Sequence, residues 1–243
     1  MKTLIIAEIG LNHNGNMDIA KSLIDEAYSA GADIAKFQFF DISEYFGPEF
    51  EWYDECMNAR LDFEKASMLS DYCDKVGIEF MSSVFNLEGV EWAKKLEMKR
   101  YKIASRCINQ NDLLEKVSET GKDMIVSLGM WNNANPGSPL PTHINSKGKI
   151  DYLYCVAKYP TLPEDIEFNK IDFKSKYSGF SDHTIGMNAA LVAIARGAKI
   201  IEKHFTLSKK MHGPDHAGSM EPVELRQLVE SARQFEEFIN EWN

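Results

Sequence analysis

The sequence predicts an α/β protein: a single (β/α)8 TIM barrel running over residues 1–243. Three observations carry that expectation. Eight short apolar runs, rich in β-branched residues, recur along the 243 residues. Between most of them lie segments whose apolar side chains repeat at helical spacing. Polar and charged residues collect at the C-terminal ends of the runs, where a parallel barrel builds its active site. Strands alternating with helices imply parallel pairing through right-handed crossovers, and about 250 residues is the usual length for eight such units.

The runs are residues 3–9 (TLIIAEI), 33–39 (DIAKFQF), 78–83 (IEFMSS), 100–105 (RYKIAS), 123–129 (DMIVSLG), 150–156 (IDYLYCV), 177–182 (YSGFSD) and 199–205 (KIIEKHF). The first helix is expected over 17–30, where the apolar spacing stops at Gly31. Further helices are expected over 62–76, 88–96, 111–120, 164–176, 187–196 and 221–241. The last places Leu225, Leu228, Val229, Ala232, Phe235 and Phe238 on one stripe to close the core. Residues 130–149, rich in Asn, Pro and Gly, read as a loop. A doubly wound open sheet is the competing architecture. It would carry a GxGxxG turn after its first strand, and "EIGLNHNG" lacks one.

Composition narrows the function classes. A net charge of −10 argues against a nucleic-acid or anionic-membrane surface. No run of 18 apolar residues exists to span a membrane, and the apolar run in "MKTLIIAEIG" is too short for a signal peptide. Cys56, Cys73, Cys107 and Cys155 show no CxxC spacing, so reduced thiols in a cytoplasmic enzyme are expected. The Met and aromatic residues outside the strand ends and loops considered below are expected to serve only the core.

The strand ends then suggest chemistry. Side chains alternate along a strand, so Glu202 and His204 share a face and Lys203 points away, into a structural ion pair outside the barrel. His183, after the seventh strand, can meet His204 at the barrel mouth. Two imidazoles with oxygen ligands suit Mn2+, Zn2+ or Fe2+; two separately hydrogen-bonded histidines are the alternative. Lys36 and Lys102, with Ser83, Ser105 and Ser127, form an anion site suited to phosphate, unless the lysines pair with Glu8 or another carboxylate. The loop "MHGPDHAGS" (211–219) carries Asp215 either toward a polar ligand or into solvent.

Read together, "IAEIGLNHNGNMDIAKSLIDEAYSAGADIAKFQFF", "YKIAS", "VSLGM", "YP", "FSDHTIG", "IEKHFTL" and "GPDHAGS" resemble the sialic acid synthase family, in order and over nearly the whole chain. The resemblance implies a (β/α)8 barrel that condenses phosphoenolpyruvate with an aldose such as N-acetylmannosamine, giving a 2-keto-3-deoxy sugar acid and phosphate. It implies a divalent cofactor on His183 and His204, Mn2+ first, with Mg2+ or Co2+ as alternatives. It assigns phosphoenolpyruvate to Lys36, Ser83, Lys102, Ser105, Ser127 and Ser181. It places Glu8, Glu202, Tyr159 and Asp215 on the reacting sugar, and it extends to a homodimer.

Four departures bear on the acceptor. Family members usually carry a C-terminal antifreeze-like domain, whereas this sequence stops after the eighth helix. Ser105 is followed by Arg106 and Cys107, where the family usually brings a Glu. Ala157 stands where Asn is usual. The segment after the second strand is short, and "SSVF" replaces Ser-Thr-Pro-Phe. A changed acceptor, or missing groups supplied by another chain, is therefore expected. A metal-dependent sugar aldolase or isomerase that does not use phosphoenolpyruvate, and a non-catalytic subunit of a sugar-acid pathway, stay open as alternatives.

Overall fold

In the computed structural model, which describes residues 2–241 and side chains as far as Phe238, eight parallel strands close into a barrel in sequence order. They are β1 (Leu4–Gly10), β2 (Ile34–Phe39), β3 (Glu79–Val84), β4 (Arg100–Ile103), β5 (Asp123–Ser127), β6 (Ile150–Cys155), β7 (Gly179–Asp182) and β8 (Ile200–His204). The helices are α1 (Met17–Ser29), α2 (Tyr53–Asn58), α3 (Phe63–Val76), α4 (Leu87–Lys95), α5 (Asn111–Glu119), α6 (Asn188–Ala195) and α7 (Pro222–Glu241). The single (β/α)8 barrel anticipated from the sequence is the fold.

Local chemistry sets the helix ends. The Asn16 side chain accepts from the Asp18 and Ile19 N–H groups and starts α1. Asp62 and Asn86 do the same for α3 and α4. Gly77 ends α3 at φ +91°, a conformation in which a side chain would be strained. Each of these helices turns a buried apolar face to the strands: Leu23, Ile24 and Ala27 on α1, Ala66, Leu69 and Cys73 on α3.

Two expectations need correction. Residues 164–176 do not form an α-helix; two 3-10 turns, Pro163–Asp165 and Phe168–Lys170, stand there instead. Asp165 accepts from the Leu162 N–H, and Asp172 accepts from those of Lys174 and Ser175. Such local bonds compete with the helical ladder. The buried Ile166, Ile171, Phe173 and Tyr177 fall at spacings of five, two and four, which no single helical stripe provides. In α7, Leu225, Leu228, Val229 and Ala232 are buried, but Phe238 is exposed. The short α2 was not anticipated; it lies in the segment between β2 and α3.

Register is what turns this fold into a site. Glu8 on β1 pairs opposite Lys36 on β2 and His204 on β8. Ser83 pairs opposite Lys102, and Ser181 opposite Glu202. These pairings bring the polar ends of six strands together above the apolar barrel core. On the outer face, Lys203 Nζ donates to Asp182 Oδ2 at 2.9 Å and to the Thr184 carbonyl at 2.6 Å, the structural ion pair expected there. β7 and β8 can approach because Gly179 lacks a Cβ, which would lie 2.0 Å from the Ile200 carbonyl oxygen.

Candidate active site

At the floor of the barrel mouth sits a cluster of two lysines and two glutamates. Lys36 Nζ lies 2.8 Å from Glu8 Oε2 and 3.3 Å from Glu202 Oε2, and donates to Ser83 Oγ at 2.9 Å. Lys102 Nζ lies 3.5 Å from Glu202 Oε1 and donates to Ser127 Oγ at 2.8 Å. Ser181 Oγ donates to Glu202 Oε1 at 2.8 Å, and Gln38 Nε2 to Glu8 Oε1 at 2.6 Å. All four charged side chains are buried. Isolated, each would cost several kcal/mol to hold there; together they are mutually neutralised.

The pairing is uneven. Burial opposes the Lys36 charge, but Glu202 and Glu8 outweigh it and hold its pKa above the ordinary value. Burial also opposes the Lys102 charge, and there Glu202 does not fully offset it, so its pKa is lowered. Glu202 is drawn down to about 2: burial pushes it up, and Lys102 and Lys36 pull harder. Lys102 is therefore the less satisfied ammonium, and an incoming anion would relieve it. Glu8 Oε2 and Glu202 Oε2 are buried and meet Lys36 as ion pairs without a hydrogen bond in good geometry, so both retain lone pairs for a ligand or water.

The two histidines stand above this floor, ring centroids 5.9 Å apart. His183 Nδ1 is 2.7 Å from the Val156 carbonyl oxygen. That oxygen can only accept, so Nδ1 carries the proton and Nε2 presents its lone pair. Nε2 accepts from the Tyr159 hydroxyl at 3.0 Å, with the Tyr159 ring packed on the imidazole at 4.0 Å between centroids. His204 Nδ1 is buried with no hydrogen-bond partner; the nearest carboxylate oxygen, Asp215 Oδ2, is 3.9 Å away. Among the described residues no three His, Cys, Asp or Glu side chains converge closely enough to enclose an ion.

All twelve residues singled out from the sequence line one cavity of about 380 Å3, within the roughly 300–1,000 Å3 typical of small-molecule sites. Ser105 reaches it from a 3-10 turn just past β4 rather than from the strand; its Oγ accepts the Gly129 N–H at 3.0 Å. Both lysines pair with carboxylates, Lys36 with Glu8 and Glu202 and Lys102 with Glu202, and both also line the cavity.

Sequence reasoning missed two parts of the site. Phe40, Phe46, Phe50 and Phe85 line the cavity wall rather than serving only the core; the clue was their clustering in "FFDISEYFGPEF" and after Ser83. Cys155, buried at the end of β6, places its thiol 3.9 Å from His183 Nδ1. Burial raises its pKa, but the adjacent imidazole outweighs this and lowers it. A lone cysteine gave no signal in the sequence.

Comparison with known proteins gives this constellation its context. The NeuB family matches residues 23–243. This chain belongs to the NeuB family. An uncharacterized protein of Methanocaldococcus jannaschii is 40% identical over 98% of this chain and 72% of its own length. The N,N'-diacetyllegionaminic acid synthase of Campylobacter jejuni is 36% identical over 97% of this chain and 77% of its own. The crystal structure of N-acetylneuraminic acid (sialic acid) synthetase from Leptospira borgpetersenii superposes with a TM-score of 0.86 at 30% identity. It covers 98% of this chain and 85% of that one. Among the described residues no helix is long and apolar enough to cross a membrane.

Proposed function

We propose that this NeuB-family chain condenses phosphoenolpyruvate with an open-chain aldose and water to give a 2-keto-3-deoxy sugar acid and inorganic phosphate. One observation carries the reading. Two buried lysines, each bonded to a serine, share a cavity with two imidazoles, of which His183 Nε2 is met only by the Tyr159 hydroxyl and His204 Nδ1 by no hydrogen-bond partner. That arrangement serves an anionic donor on one side and a polarisable carbonyl on the other. The 36% identity to a legionaminic acid synthase supports the product class.

In this reading Lys36 and Lys102, with Ser83, Ser105, Ser127 and Ser181, bind the carboxylate and phosphate of the donor. Its charges compete with Glu8 and Glu202 for the ammonium groups and leave Lys102 better paired than before. The donor's C3 forms a bond to the acceptor's carbonyl carbon, whose oxygen takes a proton. C2 becomes cationic. Water adds to C2 and the C2–O bond to phosphate breaks, one proton of the water passing by way of Glu8 to the former carbonyl oxygen and the other leaving with phosphate. Glu202, held ionised by its lysines, can stabilise the cationic carbon. Tyr159 and Asp215, which line the cavity beside the imidazoles, orient the acceptor.

His183 and His204 would hold a divalent ion, Mn2+ first. The donor chemistry fits: the tautomer of His183 aims a lone pair at the Tyr159 hydroxyl, which an ion would displace, and His204 Nδ1 has no protein partner. A shell completed by substrate or water matches a site with only two imidazoles converging. A bound ion supplies Lewis-acid polarisation of the acceptor's carbonyl.

The test is phosphate release from phosphoenolpyruvate by the purified protein with Mn2+, across a panel of 2-acetamido and unsubstituted aldoses. Acceptor-dependent release is expected. Aldose turnover without phosphate release would replace this reading with an aldolase or isomerase on the same barrel.

A further inference from the structure

Arg106 is the cation this site does not use up. It sits on the turn after β4, four residues beyond Lys102 toward the open end of the barrel, and it lines the cavity. Lys36 and Lys102 on the floor each have a carboxylate within 3.5 Å. Among the described residues Arg106 has no carboxylate within 4.0 Å and makes no hydrogen bond. A guanidinium is always charged and carries five N–H donors in a fixed fork. Leaving all five without a protein partner at the wall of a binding cavity is the mark of a site waiting for an acceptor.

The neighbours hold the fork in place. The guanidinium carbon lies 5.1 Å from the Tyr45 ring centroid, 5.2 Å from Phe46 and 5.8 Å from Phe40. These rings are themselves fixed. Phe46 stacks on Phe50 at 4.6 Å and Phe40 on Tyr45 at 5.4 Å. The Tyr45 hydroxyl donates to the Phe85 carbonyl at 2.9 Å and accepts from Gln110 Nε2 at 3.1 Å. Ring faces attract a cation without consuming its N–H groups. They therefore position the guanidinium and reduce the ordering cost of a bidentate contact, while its donors stay available. The chain as a whole carries a net charge of −10, so a cation at the cavity wall with no carboxylate partner runs against the protein's overall charge.

Where the group would fall on a ligand follows from the proposed reaction, on which this step rests. The donor lies on the lysine floor, and the acceptor's reacting carbonyl must meet it beside the imidazoles. The rest of the acceptor extends toward the rim. We infer that the acceptor is an anionic aldose, and that Arg106 binds its phosphate or carboxylate group at the end remote from the carbonyl. A phosphate and a carboxylate both match the guanidinium fork, and the aromatic wall would pack against the carbon chain between the two ends.

The experiment compares three acceptors of one aldohexose skeleton: the neutral sugar, its terminal phosphate ester and its terminal carboxylate, each followed by phosphate release from phosphoenolpyruvate with Mn2+. An anionic acceptor is expected to show kcat/KM at least tenfold above the neutral one. Which anion is faster separates phosphate from carboxylate. Arg106→Ala should raise KM for that anion by about 10- to 100-fold and collapse its advantage over the neutral sugar, while Arg106→Lys restores part of the advantage. A thermal melt checks that each variant is folded. Equal use of neutral and anionic acceptors, or an anionic preference that survives in Arg106→Ala, overturns the assignment and leaves the synthase reading standing. No phosphate release with any acceptor overturns the synthase reading and this assignment with it.

Discussion

Replacing Lys203 by Met tests the ion pair on the outer wall of the barrel. The Asp182 side chain is fully buried and that of Lys203 is 2% exposed. Asp182 Oδ1 also accepts the Thr184 N–H at 2.8 Å, whereas Oδ2 depends on the ammonium group. Lys203→Met therefore leaves a buried carboxylate with one oxygen unpaired. Breaking such a pair costs about 3–5 kcal/mol. At roughly 2–4 °C per kcal/mol for a chain of this size, the melting temperature at pH 7 should fall by roughly 6–20 °C. Adding Asp182→Asn removes the stranded charge and keeps the Oδ1 acceptor, so the double variant should regain most of the loss. Thermal and urea unfolding of wild type, both single variants and the double variant at pH 7 measure the coupling. A double variant no more stable than Lys203→Met would refute the reasoning.

Three further outcomes are expected. Gly179→Ala should destabilise the fold by about 3 kcal/mol or express insolubly, because its Cβ would press on the backbone oxygen of Ile200 at 2.0 Å; a melting temperature like that of wild type would show that β7 and β8 can separate freely. His183→Ala and His204→Ala should each abolish bound Mn2+ by elemental analysis together with phosphate release, and retention of both would remove the metal role assigned to that imidazole. Glu202 falls from 4.5 in the unfolded chain to about 2 in the fold, so its contribution is full above pH 4.5 and is lost as pH falls through about 2. The contribution is on the order of 3 kcal/mol, and Glu202→Gln should flatten the acid limb of a stability-versus-pH curve measured by urea unfolding; an unchanged limb would place the acid sensitivity elsewhere.

Much of the site was legible in the chain because a barrel strand obeys a period of two. Glu8, Lys36, Lys102, Glu202 and His204 stand at strand ends among apolar residues, and alternation alone puts Glu202 and His204 on one face and Lys203 on the other. The sixth crossover was misread for a related reason. Helical spacing over 164–176 was approximate, and the side chains of Asp165 and Asp172 offered the backbone local partners that a periodicity count does not weigh. The aromatic wall escaped because Phe40, Phe46 and Phe50 carry no period of their own.

By itself, then, the sequence determined the eight-stave architecture and the identity of the charged groups at its mouth, since both follow from periodicity and from the cost of burying unpaired charge. Only the tertiary structure decided which charge meets which. Strand register set Glu8 beside Lys36 and His204, and it divided the carboxylates so that Lys102 is the less satisfied lysine. Loop packing brought three rings around Arg106 and left its N–H groups free. Register and loop placement depend on contacts between residues far apart in the chain, and no local pattern encodes those distances.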